Sequence, residues 1–348
     1  MNSGDKIVII SEDLAEPWDE GFKNFAHSLA VALHRQHNVL MINVDRSGKS
    51  PDAGGRVPGT RTFFSTALRQ KIRSFSPHKI IYIPSASTTS ASFVRAAALR
   101  CHAPRAAVAM AGLQPRRRNW FSWLLIKWLA PHVVLTLSYR TLLSFERRSI
   151  RAALLPLGID PSVFRPAAPG EKRELRGRYG LPDDAFVFLH AGHLSPSRNL
   201  LPLTRLADMR DSLVLLVSST STPDNARLRR QLEGKGVRVI REVVAIEEFY
   251  RLSDCYVFPV EDPYSCAEVP LGVLEALASG IPVLSRPFGG LRDLFPQGKD
   301  IIYWNSPAEL VHAAEILRGG GSLQVRDMSA YSWDAVADKT IEILQGIH

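Results

Sequence analysis

Short runs of apolar and β-branched residues alternate with longer stretches of helical spacing. Lys6–Ser11 (KIVIIS) reads as a strand, Phe22–Arg35 carries helical spacing, and Val39–Val44 is again strand-like. Lys79–Ile83, Ala106–Ala109 and Val133–Ser138 follow, separated by helical patterns. This alternation predicts a parallel sheet covered on both faces by helices. Near Leu157–Asp160 the rhythm stops, and the proline-rich Pro161–Gly170 reads as a linker. It restarts with Phe186–Ala191, Val214–Ser218, Val237–Ile240, Cys255–Pro259 and Pro282–Ser285. The expected fold is α/β, with two doubly wound domains of similar size over residues 1–160 and 161–328, followed by a tail, 329–348. Ligands of such sheets bind beyond the carboxyl ends of the strands.

A length of 348 residues suits two domains, and 45% hydrophobic with 22% charged residues is ordinary for a globular chain. Three cysteines with no CxxC pair exclude a disulfide framework or a zinc ribbon and suit a reducing cytosol. The opening MNSGDKIVIISEDL meets acidic residues too early for a signal peptide, and no run of about 18 apolar residues predicts a membrane span. The expected location is therefore the cytoplasm. Charge changes the picture more. The net +9 is concentrated in residues 61–178, which hold 21 basic and four acidic side chains. Such a segment suits a polyanion (nucleic acid, anionic lipid or a phosphorylated substrate), or it is a solvated arginine-rich face.

Several familiar chemistries are missing. Gly48-Lys49-Ser50 resembles the end of a P-loop, but Asn43 stands where its leading glycine belongs. No GxGxxG follows the first strand, and neither HExxH nor GxSxG occurs. His34 and His37 read as solvated histidines at a helix end. No Asp-x-Asp pair is present to hold a divalent ion, so phosphate handling falls to side-chain cations and backbone amides.

Two stretches carry candidate chemistry. In Glu268-Val-Pro-Leu-Gly-Val-Leu-Glu275-Ala-Leu-Ala-Ser-Gly280, a loop leads into a helix opening at Pro270, with Gly280 as its stop. The start of that helix presents free N–H groups and partial positive charge. Glu275 is placed either to accept hydrogen bonds from a vicinal diol or simply as a solvated helix glutamate. The second stretch, Gly192-His193-Leu194-Ser195-Pro196-Ser197-Arg198-Asn199, follows a strand. His193 and Arg198, five residues apart, suit a diphosphate; the plainer alternative is a turn with one surface arginine.

These stretches, with Leu157-Gly-Ile-Asp-Pro-Ser-Val-Phe-Arg-Pro166 and the tail Tyr331-Ser-Trp-Asp-Ala-Val-Ala337, resemble retaining glycosyltransferases of the GT-B fold, family 4 class (glycosyl transferases group 1). The resemblance implies two Rossmann-like domains facing across a cleft, with a tail helix crossing back to the N-terminal domain. It further implies a nucleotide-diphosphate sugar, UDP- or GDP-linked, held by the C-terminal domain, and a glycan or lipid-linked acceptor on the N-terminal one. No metal or other cofactor is implied. Residue by residue, Glu275 is similar to the ribose-binding second glutamate of an E-x7-E motif. Ala267 occupies the first position and Glu268 lies one residue on, so the amides of Val269, Leu271 and Gly272 are expected to contact the donor. His193 and Arg198 stand where the family has an Arg-x4-Lys phosphate pair, which makes Arg198, His193 and Glu268 the catalytic candidates. Gly21 is similar to the first-loop glycine, and Gln114 stands in for an absent N-terminal histidine. Two other readings stay open: a degenerate member that binds donor without turnover, and a GT-B-like sugar-nucleotide 2-epimerase.

Arg116, Arg117 and Arg118 precede Trp120-Phe-Ser-Trp123-Leu-Leu-Ile-Lys-Trp128-Leu129. Phe121, Leu124, Leu125, Trp128 and Leu129 share one helical face, widened by Trp120 and Trp123. That face belongs either in the N-terminal core, with a basic rim, or in the interface of an anionic membrane, as peripheral contact at its inner surface. No nucleic-acid module accompanies the charge, so a nucleic-acid partner is not expected.

Overall fold

The computed structural model describes residues 4–14, 21–45, 56–58, 60–218, 225–241, 245–320 and 325–347. Gly48-Lys49-Ser50 and Pro17–Glu20, before Gly21, lie outside them. The chain divides into two compact units, one comprising Met1–Gly158 with Trp333–His348 and the other Ile159–Ser332.

In the first unit the strands are β1 (Lys6–Ser11), β2 (Asn38–Asp45), β3 (Arg56–Pro58), β4 (Lys79–Tyr82), β5 (Ala107–Gly112), β6 (Val133–Thr136) and β7 (Ala152–Leu154). They form one parallel sheet in the order β3-β2-β1-β4-β5-β6-β7. Helices cover it because β1, β4, β5 and β6 bury both faces, and Val8, Ile10, Ile80, Tyr82, Val108 and Phe93 pack in one core. The last helix, Trp333–Gln345, belongs to this unit: Trp333 packs on Phe25 at 5.9 Å between centroids, and Arg35 binds Asp334 at 2.6 Å.

Strand order reverses between β1 and β4. There the carboxylate of Glu12 is buried and fully engaged, accepting from the Tyr82 hydroxyl at 2.7 Å, the Ser85 N–H at 2.9 Å and Arg95 Nη1 at 2.5 Å. Removing one member would strand a buried charge, so the network fixes this sheet end rigidly.

The second unit contains β8 (Phe186–Gly192), β9 (Ser212–Ser218), β10 (Val237–Ile240), β11 (Cys255–Phe258), β12 (Val283–Ser285) and β13 (Ile301–Tyr303). They too are parallel, ordered β10-β9-β8-β11-β12-β13. The proline-rich stretch after Asp160 is packed into this unit, with Phe164 against Tyr250 at 5.6 Å and Arg165 paired with Glu171 at 2.9 Å. Two parallel α/β sheets of seven and six strands are the expected doubly wound architecture.

Candidate active site

Strand order in the second sheet reverses between β8 and β11, so the loops leaving these strands frame the place where doubly wound sheets bind ligands. Asn199, at φ 52°, donates from Nδ2 to the Pro259 carbonyl at 3.0 Å and ties the two loops together. Between β8 and Asn199 the chain makes a single 3₁₀ turn, Pro196–Arg198, closed by the Arg198 N–H on the Ser195 carbonyl at 3.0 Å. The turn directs the half-buried Arg198 inward. Its guanidinium acts electrostatically on the Cys266 thiol, the Tyr256 phenol and His190. Burial pushes the Cys266 thiol up to about 11 despite the opposing pull of Arg198, so it is a neutral packing group rather than a nucleophile.

His190, on β8, donates from Nδ1 to the Val257 carbonyl at 2.8 Å and stacks on Tyr256 at 6.1 Å. Burial lowers its pKa to about 4, against the hydrogen bond to Val257 and with help from Arg198 and His193. The imidazole is therefore neutral and does not add to the cations at this loop. His193 follows β8 directly and is half-buried.

The helix Leu271–Ala278 starts beside these groups. Pro270 is its extended N-cap rather than its first helical residue. Gly272 lies in the first turn, where a Cβ would collide with the Tyr256 hydroxyl and approach that of Tyr250 to 3.1 Å. The missing side chain lets the two tyrosines, 5.6 Å apart, press against the helix start. Tyr256 donates to the Ala191 carbonyl at 3.2 Å, and Tyr250 donates to Glu275 Oε2 at 2.7 Å. Burial pushes the Glu275 carboxyl up to about 7, with the Tyr250 hydrogen bond opposing and the charge of Glu247 adding. The Tyr256 phenol is pushed up by burial and by Glu275 and pulled down by Arg198. Arg198 and Glu275, 77 positions apart, thus both act electrostatically on the Tyr256 phenol, whose hydroxyl reaches the Ala191 carbonyl near the end of β8.

The loop before the helix is pinned from β12. Gly290 donates to the Glu268 carbonyl at 3.0 Å, and Gly289 has φ 52°, where a Cβ would strike that same carbonyl. Glu268 and Val269 are buried, and Leu271 and Gly272 present first-turn N–H groups that lack intrahelical acceptors. Tyr250, Tyr256, His190 and Cys266 were not among the candidates from sequence. Tyr256 and His190 sit inside strand patterns, and only the fold brings Tyr250 to Glu275.

The remaining candidates lie in the first unit. Gly21 opens the helix Gly21–His34. Gln114 accepts from Arg116 Nη2 on Oε1 at 3.2 Å, and Arg116 Nε also donates to the Ala86 carbonyl at 3.0 Å. Arg118 is occupied by the fold: it donates to the carbonyl and hydroxyl of Thr88 and stacks on Trp123 at 4.9 Å and Phe145 at 5.2 Å. Burial, with Arg116 and Arg148 nearby, lowers its pKa to about 10. Arg117 and Trp120 are exposed, and Trp123 packs against the core. Of the shared helical face, only Leu129 joins the core; Phe121, Leu124, Leu125 and Trp128 face solvent. The structure does not show the buried placement of that face.

The two parallel α/β sheets are those of the GT-B fold, and the candidate site lies in the second unit. Residues 186–318, less than half of the chain, match the family described as glycosyl transferases group 1. D-inositol 3-phosphate glycosyltransferase 2 of Catenulispora acidiphila is 28% identical over 220 residues, 56% of this chain and 50% of that protein. A GDP-mannose-dependent alpha-mannosyltransferase of Mycobacterium tuberculosis is 34% identical over 137 residues, 39% of this chain and 34% of that one. The chain spans about half the length of the first of these relatives. Among solved structures, sucrose-phosphate synthase from Thermosynechococcus elongatus superposes with TM-score 0.76 at 16% identity over 99% of each chain. Anabaena Alr3699/HepE in complex with UDP-glucose gives 0.67 at 16% identity, covering 99% of this chain and 98% of that one.

Proposed function

We propose that this chain transfers a sugar from a nucleotide-diphosphate donor to a glycan or lipid-linked acceptor, with retention and without a metal. The observation that carries the reading is that the loop bearing Arg198 and the helix bearing Glu275 meet at Tyr256, where β8 and β11 part. The Tyr256 hydroxyl donates to the Ala191 carbonyl near the end of β8 and lies against Gly272 at the helix start. Glu275 would take the ribose diol, while Arg198, His193 and the amides of Leu271 and Gly272 would take the diphosphate. In the reaction, the bond from the anomeric carbon to the diphosphate oxygen breaks and an acceptor oxygen bonds to the same face. The acceptor proton passes to the departing phosphate. The positive groups around that phosphate stabilise its growing charge before the reaction begins, which is typically the largest catalytic term. Gln114 in the first unit would meet the acceptor. The relatives support the class of donor: one is named for GDP-mannose, and a structural neighbour holds UDP-glucose. The test is release of free UDP or GDP from UDP- and GDP-sugars, with and without candidate acceptors.

One observation favours a second reading, a donor-binding protein without turnover: Ala267 lacks a carboxylate, and the neighbouring Glu268 is buried. Tight nucleotide-sugar binding with no release of nucleotide under any acceptor condition would select it.

A further inference from the structure

The helix Trp120–Leu129 is built the wrong way round for a protein surface. Its start is well defined, since the Asn119 side chain caps the Ser122 N–H at 2.8 Å. Ile126 is its buried residue, with Trp123 and Leu129 packed beside it on the core. Across the opposite arc, Trp120 is 77% exposed, Phe121 61%, Leu124 53% and Trp128 80%, with Leu125 alongside and only Lys127 polar at the edge. A contiguous apolar stripe of this kind marks an interaction site.

Its surroundings indicate the partner. Residues 61–151 contain sixteen Lys or Arg and a single carboxylate, Glu146. Lys79 and Arg95 are paired with Asp5 and Glu12, and Arg118 is held by Thr88, which leaves the rest of the segment strongly basic. Arg116 and Arg117 lead into the helix, and the exposed Arg148 lies 4.0 Å over the Trp123 ring. A second copy of this face would oppose like charge to like charge, which disfavours self-association. Tryptophans at both ends of an apolar stripe, rimmed by cations, match the boundary between acyl chains and anionic headgroups, where indole rings are enriched. We propose that the helix Trp120–Leu129 docks the chain on an anionic lipid bilayer, lying in the plane of the headgroups. No described helix is long and apolar enough to cross a membrane, so this contact is peripheral. The inference stands whether or not the second unit turns over a sugar.

The test is co-sedimentation of the whole chain with phosphatidylcholine vesicles with or without phosphatidylglycerol, at low and high salt. The expected result is binding to the phosphatidylglycerol vesicles at low salt, with a blue shift of tryptophan emission. Binding should weaken at least about tenfold in high salt, and about tenfold or more in the double variant Trp120→Ser, Trp128→Ser. Arg117→Glu with Lys127→Glu should weaken it similarly, and both variants should melt with the wild type because the altered side chains face water. Wild type that ignores phosphatidylglycerol, or a tryptophan variant that binds equally well, overturns the proposal. So does a dimer in sedimentation equilibrium that the tryptophan substitutions abolish, since the face would then be a protein interface.

Discussion

Two helices of comparable apolar content lead opposite lives. In the helix Leu271–Ala278, Val273, Leu274, Ala276, Leu277 and Ala278 are buried, and the polar residue among them, Glu275, is held by Tyr250 at the donor-site candidate. In the helix Trp120–Leu129, Ile126 is the buried residue and the bulky apolar side chains face outward. Apolar spacing decides which residues share a side; it does not decide what covers that side. The first helix spends its hydrophobicity on fixing one carboxylate, and the second keeps its own available.

The sharpest way to break this contrast is to truncate one leucine from each. Leu274→Ala removes a fully buried side chain and should cost about 2–5 kcal/mol in urea unfolding. Equal stability of the variant and wild type would remove the claim that this helix is a core element. Arg198→Ala should lower turnover about 10²–10³-fold while the melting temperature holds, because the side chain is only half-buried and the neighbouring Cys266 keeps its own packing. Unchanged turnover would separate Arg198 from the chemistry.

Glu275 offers a smaller, pH-dependent effect. Its carboxyl titrates near 7 in the fold, above the ordinary carboxylate range, so the folded state holds the proton more tightly than the unfolded chain. Stability from this group is therefore present at acid pH and declines as pH climbs from that ordinary range through about 7. Glu275→Gln should flatten this slope in melts. Nucleotide binding should run the other way, strengthening up to about tenfold over the same window, since the ionised carboxyl is the better acceptor for a diol. A variant with the wild-type pH profile would contradict the assignment. The least effect belongs to Leu124→Ala on the outward helix, within about 0.5 kcal/mol of wild type. A larger loss would mean that its side chain is covered.

Much of the architecture was legible because long apolar runs such as Lys6–Ser11 and Phe186–Gly192 can only be central strands once helices flank them. β3, β7 and β13, three residues each, do not read as strands in the sequence, whereas the equally short β12 does, as part of the apolar run Pro282–Ser285. At the site, Glu275, Arg198 and Gly272 were singled out by position in a loop or helix start. The reason for Gly272 was not legible: the hydroxyls that exclude a side chain come from Tyr250 and Tyr256, on a different helix and strand. Arg118 shows the opposite failure. It looked like one of three surface cations, but Thr88 and an aromatic cluster contributed by Phe93, Trp123 and Phe145 hold it inside the first unit. Linear spacing carries no record of such partners.

The central claim is that Arg198 and Glu275 serve one nucleotide diphosphate, the former at its phosphates and the latter at its ribose. Calorimetric titration with UDP and GDP, and with the corresponding nucleosides, tests it directly. Arg198→Ala should weaken the diphosphate and leave the nucleoside untouched, whereas Glu275→Gln should weaken both. Diphosphate affinity that neither substitution changes would contradict the account.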